Sequence, residues 1–129
     1  MEDPVLQTPD KAWRRRKGGC FEQIALTWLQ QQGLQLVQRN YRCKLGEIDL
    51  VMRERELLVF VEVRFRGAGS HVPACETVDF RKQRKLVRAA GHFLLCNRQL
   101  AELPCRFDVL GISEDQGCPR CEWIRNAFC

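Results

Sequence analysis

The run Leu57-Leu58-Val59-Phe60-Val61 constrains this chain most, because a nearly continuous apolar stretch of that length is what a strand covered on both faces requires. The fold must then supply a layer on either side of it. The run ends in Glu62-Val63-Arg64, and a carboxylate entering such a strand is costly unless it is paired or bound to metal. Upstream, Gly46-Glu47-Ile48-Asp49-Leu50-Val51 reads as a second alternating strand.

In an antiparallel hairpin, the numbers of opposed residues add to a constant. With Arg55 and Glu56 at the tip, Asp49 faces Glu62 and Glu47 faces Arg64. Opposed Cβ atoms lie ~5 Å apart, and like charges there destabilise a sheet, so the Asp49/Glu62 pair calls for a divalent cation or a shared proton. Arg-Glu lacks the Gly or Asn that a primed turn favours, so a longer loop is the alternative, and a slip of one residue would separate the two acids. The plainer reading makes both strands edge elements with their charges in water and Glu47–Arg64 an ordinary cross-strand ion pair.

Length and composition set the frame: 129 residues make one domain with one core. No apolar stretch approaches the ~20 residues needed to span a bilayer, and the first ten residues lack a signal-peptide core. The expected location is the cytoplasm, without membrane association. In that reducing compartment the eight cysteines are expected to be thiols, most of them small core residues. Cys118-Pro119-Arg120-Cys121 is a CxxC whose further partners would be Cys105 and Cys129. A structural zinc site typically brings two such knuckles, so zinc at Cys118/Cys121 is not expected, and a Pro-containing hairpin turn is.

The net charge of +5 is unevenly spread. Arg14-Arg15-Arg16-Lys17 forms one run, Arg39, Arg42 and Lys44 precede the acidic strand, and Arg81, Lys82, Arg84, Lys85 and Arg88 crowd one helix. Basic surface around an acidic pocket suits a polyanion whose backbone must approach carboxylates, although charge runs are often just solvated faces.

Residues 1–17 read as a flexible basic arm, followed by the single folded domain over 18–129. Phe21, Ile24, Ala25, Trp28 and Leu29 recur at helical spacing over Cys20 to Gln32, with Gly33 as the stop and Glu22 beside the stripe. Leu34 to Arg39 forms a short strand. Gly67 to Pro73 is loop chemistry suited to a flap, and it holds His71. Thr77 is expected to cap a helix from about Val78 to Asn97, burying Leu86, Ala89, Ala90, Phe93 and Leu94, with His92 at its surface or core edge. Arg106 to Ile112 and Glu122 to Phe128 form a closing hairpin. The resulting class is α/β, a mixed central sheet with flanking helices.

Glu22, Arg39-Asn40-Tyr41-Arg42, Gly46-Glu47-Ile48-Asp49-Leu50-Val51, Phe60-Val61-Glu62-Val63-Arg64-Phe65-Arg66, Lys82 with Leu86, and Arg106-Phe107-Asp108-Val109 together resemble the bacterial YraN family. The resemblance runs from about Gly18 to Phe128. That family is grouped with the restriction-endonuclease-like nucleases, near the archaeal Holliday-junction resolvases, and its members are mostly uncharacterised. The resemblance implies a single-domain restriction-endonuclease-like sandwich in which Asp49 and Glu62 hold Mg²⁺ or Mn²⁺, the backbone carbonyl of Val63 completes the site, and Glu22 is the helix acid. Arg64 stands where the superfamily usually has lysine. Arginine stays charged at any accessible pH, so Arg64 can stabilise phosphate charge without acting as a base, and Lys82 is the nearest remaining amine.

The function expected is metal-dependent hydrolysis of phosphodiester bonds in DNA, branched or otherwise structured, with Glu22, Asp49, Glu62 and Arg64 as the catalytic set. Arg42, Lys44, Arg81, Lys82 and Lys85 would hold nucleic acid. A non-catalytic nucleic-acid-binding module of the same fold is the alternative, and a domain that docks an acidic protein is a third. Cutting a junction calls for two symmetry-related sites, which makes a homodimer the assembly to look for.

Overall fold

The computed structural model describes residues 18–66 and 77–128. The basic arm over 1–17, the Gly67 to Pro73 loop with His71, and Cys129 lie outside the described residues. The elements are α1 (Gly18–Gln31), β1 (Gln35–Cys43), β2 (Gly46–Glu54), β3 (Leu57–Phe65), α2 (Phe80–Cys96), β4 (Cys105–Asp115) and β5 (Cys118–Phe128).

The strands form one five-stranded sheet in chain order, antiparallel except for the parallel pair β3–β4. A parallel pair needs a crossover, and α2 supplies it. β3 is therefore central, and its apolar run feeds both faces. On one side Val59 and Val61 pack with Leu50, Met52, Leu110 and Ile112 against Phe21, Ala25, Leu26 and Leu29 of α1. On the other, Leu58 and Phe60 pack with Val51 and Val109 against Leu86, Ala89, Ala90 and Phe93 of α2. This is the expected α/β sandwich, with both faces of a mixed sheet covered. Neither acidic strand is an edge, so the reading that leaves their charges in water does not hold. Among the described residues no helix is long and apolar enough to cross a membrane.

Local chemistry accounts for the boundaries. Helix α1 ends where Gly33 takes φ +102°: the Leu34 amide donates to the Leu29 carbonyl, the Gly33 amide donates to that of Gln30, and the Leu29 and Leu34 side chains share one cluster. Asp79, not Thr77, caps α2, because its carboxylate accepts from the Lys82 amide at 2.8 Å. β1 runs four residues past the expected Arg39. The CxxC is not a turn. Gln116 and Gly117, both at positive φ, make the β4–β5 turn, so Cys118 to Cys121 lie within β5. Cys105 starts β4 beside Leu58, while Cys118 pairs with Asp115 at its other end, so a shared zinc site would have to span the whole strand. Cys43, Cys96, Cys105, Cys118 and Cys121 are free thiols, none fully buried, which corrects the expectation of core cysteines for Cys43 and Cys96.

Candidate functional site

The β2–β3 ladder has the two-residue tip: Glu54 pairs with Leu57 and Leu50 with Val61, and Arg55 takes φ +56° with its carbonyl held by the Arg53 guanidinium at 2.8 Å. Continuing that register sets Asp49 against Glu62, as the sequence predicts. Past Leu50–Val61, however, the paired ladder stops, and Asp49 turns its carboxylate to the Val63 amide at 2.8 Å. Glu47 does not reach Arg64. It pairs with Arg42 across β1–β2 at 3.4 Å, both exposed.

A twist in the β1–β2 hairpin explains why Asp49 is available. Leu50 belongs to the α1 side of the sheet and Ile48 to the α2 side, although residues two apart on a regular strand share a face. The same switch occurs opposite, where Arg39 donates to Gln23 of α1 and the Tyr41 hydroxyl is hydrogen-bonded to His92 of α2. Between these pairs lies Asn40 at φ +51°, facing Asp49. Asp49 thus sits where the two layers meet, in electrostatic contact with Glu22 from α1 and with Lys82 from α2.

Three carboxyl groups in this corner are disturbed. Burial raises Glu62 to about 8, and the Asp49 charge adds to the shift despite opposition from Lys82 and Arg64. Burial also raises Asp49, outweighing the Val63 amide and a hydrogen bond from Glu62. Glu62 and Asp49 thus form a hydrogen-bonded pair in which burial favours retention of a proton, one of the two ways of relieving the repulsion that the sequence allows. Burial likewise raises Glu22, followed by repulsion from Asp49, with Arg39 and Asn40 working against both. Its Oε1 is buried with no hydrogen-bond partner among the described residues.

Cations close the corner from the α2 side. Lys82 Nζ lies 3.7 Å from Glu62 Oε2. Arg64 Nη1 lies 3.3 Å from the same oxygen, but the rest of its guanidinium is bound to Thr77, to Oγ1 at 3.0 Å and to the carbonyl at 2.7 Å. Arg64 is therefore a strut tying β3 to the approach of α2, whereas Lys82 is tied to the corner by the longer ion pair with Glu62. Arg42, Cys43, Lys44, Leu45, Gly46, Glu47, Lys82 and Lys85 line a groove of about 400 Å³ beside the corner. Four of the five residues expected to hold nucleic acid meet there. The fifth, Arg81, is exposed on α2. Gly46 lets the hairpin approach the helix: a Cβ at this position would lie 3.0 Å from the Lys85 carbonyl.

The residues fit a hard cation in two respects. Glu22 and Glu62 are each electrostatically coupled to Asp49, and Glu22 Oε1 is buried without a hydrogen-bond partner among the described residues. No three His, Cys, Asp or Glu side chains among the described residues converge as a ready metal site. A cation held there would be bound by one or two carboxylates with water filling its remaining positions, a mode that Mg²⁺ accepts.

Sequence reasoning missed Asn40 and Thr77, whose signals exist only in three dimensions. It also left Asp108 without a role. That carboxylate is fully buried and accepts from Arg106 Nε and the Asn126 amide at 2.9 Å and from Trp123 Nε1 at 2.8 Å, holding the β4–β5 bulge. It is a structural acid outside the corner.

A family model described as uncharacterised protein family UPF0102 matches residues 21–112, a span that contains Glu22, Asp49, Glu62 and Lys82. A UPF0102 protein of Nitrosococcus oceani is 47% identical over 117 residues, 91% of this chain and 94% of its own length. One from Aeromonas hydrophila is 51% identical, covering 87% of this chain and 84% of its own, and one from Nitrosospira multiformis is 51% identical, covering 88% and 93%.

Proposed function

Because the chain belongs to the uncharacterised protein family UPF0102, the YraN family, we propose its activity from the site itself: metal-dependent hydrolysis of phosphodiester bonds in DNA. The observation that carries this reading is the Asp49/Glu62 pair, a half-buried and a buried acid hydrogen-bonded to each other beside a basic groove. Destabilising like-charge burial of this kind persists where a cation or substrate relieves it.

Asp49 and Glu62 would hold Mg²⁺ or Mn²⁺, with Glu22 reaching it directly or through water. The cation would lower the pKa of a bound water and neutralise phosphate charge. The protein's residues do the remainder. Arg42, Lys44, Lys82 and Lys85 seat the phosphodiester backbone in the groove through contacts that carry no sequence preference. Arg81 and Lys82 sit in the first turn of α2, where the helix dipole disfavours cations, and are offset there by the Asp79 cap and, for Lys82, by Glu62. A phosphate at that turn would compensate both charges. Lys82 faces the reacting phosphate with the amine that Arg64 lacks, while Arg64, bound to Thr77, fixes the position of Glu62.

The test is cleavage of labelled linear duplex, single strand, flap and four-way junction with Mg²⁺ or Mn²⁺, comparing the wild type with Asp49→Asn/Glu62→Gln and with Lys82→Ala. Metal-dependent cutting lost in the double variant, and reduced about a hundredfold or more in Lys82→Ala, is expected. Salt-sensitive binding without cutting in any protein would move the reading to a non-catalytic DNA-binding module.

A further inference from the structure

The outward face of α2 carries a feature the proposed site does not use. Phe80 opens the helix and is 71% exposed, although burying such a ring is worth roughly 1.5–3 kcal/mol. Gln83, Arg84, Val87 and Arg88 follow it at helical spacing and line, with Phe80, a second groove of about 310 Å³. The Arg84 guanidinium lies over the ring, 5.8 Å from its centre. Among the described residues no acidic side chain lines this groove.

The two grooves lie on different sides of one helix, and a basic track joins them. At about 100° per residue, Lys85, Arg81, Arg88 and Arg84 stand at successively smaller angles from Phe80, roughly 140°, 100°, 80° and 40°. Lys82 and Lys85 belong to the groove beside the carboxylates. A phosphate backbone leaving that groove would meet Arg81, then Arg84, and arrive at an exposed aromatic ring. Duplex DNA cannot follow such a path, because bending it by about 40–90° takes a site of roughly 20–30 bp, far longer than a helix that with its side chains is about 10–12 Å across. A single strand can, and its bases are free to stack.

We propose that Phe80 and Arg84 form a stacking platform for an unpaired base, so that the substrate is DNA in which a single strand leaves a duplex next to the carboxylate corner. The inference rests on the nuclease reading for its placement and adds the substrate class. Every base has a π-face, so the platform is indifferent to sequence, and the Arg84 guanidinium adds a cation to the stack.

The test uses the full chain with Ca²⁺ in place of Mg²⁺ and a labelled duplex, either blunt or carrying a short single-stranded tail. Stacking of one base is worth about 1–3 kcal/mol, which predicts that Phe80→Ala weakens binding of the tailed duplex by about 5- to 150-fold and leaves the blunt duplex unchanged. Phe80→Trp should restore tailed binding, and a tail with abasic sites should bind wild type as weakly as Phe80→Ala binds the normal tail. Equal affinity of wild type and Phe80→Ala for the tailed duplex, with both still binding DNA, would overturn the platform, leave the nuclease reading standing and return the patch to a protein partner. A loss that Phe80→Leu repairs as well as Phe80→Trp would also overturn it, because only apolar bulk would then be needed. Absence of binding to any of these DNAs would overturn both.

Discussion

Glu62→Gln should make the protein more stable as pH rises, relative to wild type, although it removes a charged residue that contacts two cations. The reasoning follows from the raised Glu62 group. The folded state holds the Glu62 proton more tightly than the unfolded chain does, so this stabilisation is present below the unfolded value of 4.5 and is lost as pH rises through about 8. A carboxyl shifted between those values carries at most about 5 kcal/mol of linkage. Because the proton is shared with Asp49, about half of that is the expected share for this side chain. Glutamine keeps a donor toward Asp49 and never ionises. The two proteins should therefore melt alike near pH 5 and differ by about 2–3 kcal/mol near pH 8.5, which for a domain of this size is roughly 8–12 °C in Tm. Thermal melts across that range measure the difference directly. Adding Mn²⁺ at the upper pH should raise the wild-type Tm and close the gap, since the cation takes the place of the proton. A gap that stays constant with pH would refute the shared-proton account of the corner.

Asp49→Asn should leave the fold intact and abolish the rise in Tm that Mn²⁺ produces in wild type, measured by thermal shift at increasing metal concentration. Gly46→Ala should cost about 1–3 kcal/mol, because its Cβ meets the Lys85 backbone carbonyl at 3.0 Å, and denaturant melts will read it. Asp108→Ala should cost about 3–5 kcal/mol by stranding Trp123 Nε1, the Asn126 amide and Arg106 Nε, although Arg106 keeps its ion pair with Glu54, with Trp fluorescence reporting the change. Arg64→Lys should lose the Thr77 contacts at a cost of about 1–3 kcal/mol in urea melts.

The amino-acid sequence by itself determined which strand is central and which acids meet. A run such as Leu57 to Val61 has no stable place except between two layers, and antiparallel arithmetic from a two-residue tip sets Asp49 against Glu62. Periodicity also marked the buried faces of both helices, because the 3.6-residue repeat is a local property. Tertiary structure alone decided what those acids have around them. The switch of faces at Asn40 and Asp49, the capture of Arg64 by Thr77, and the arrival of Lys82 beside Glu62 each join residues from separate elements. Asp79 displaced Thr77 as the cap of α2 for the same reason, since Thr77 is engaged by β3. Local pattern carries the identity and spacing of side chains, whereas partners, burial and proton affinity depend on which distant backbone arrives next to them.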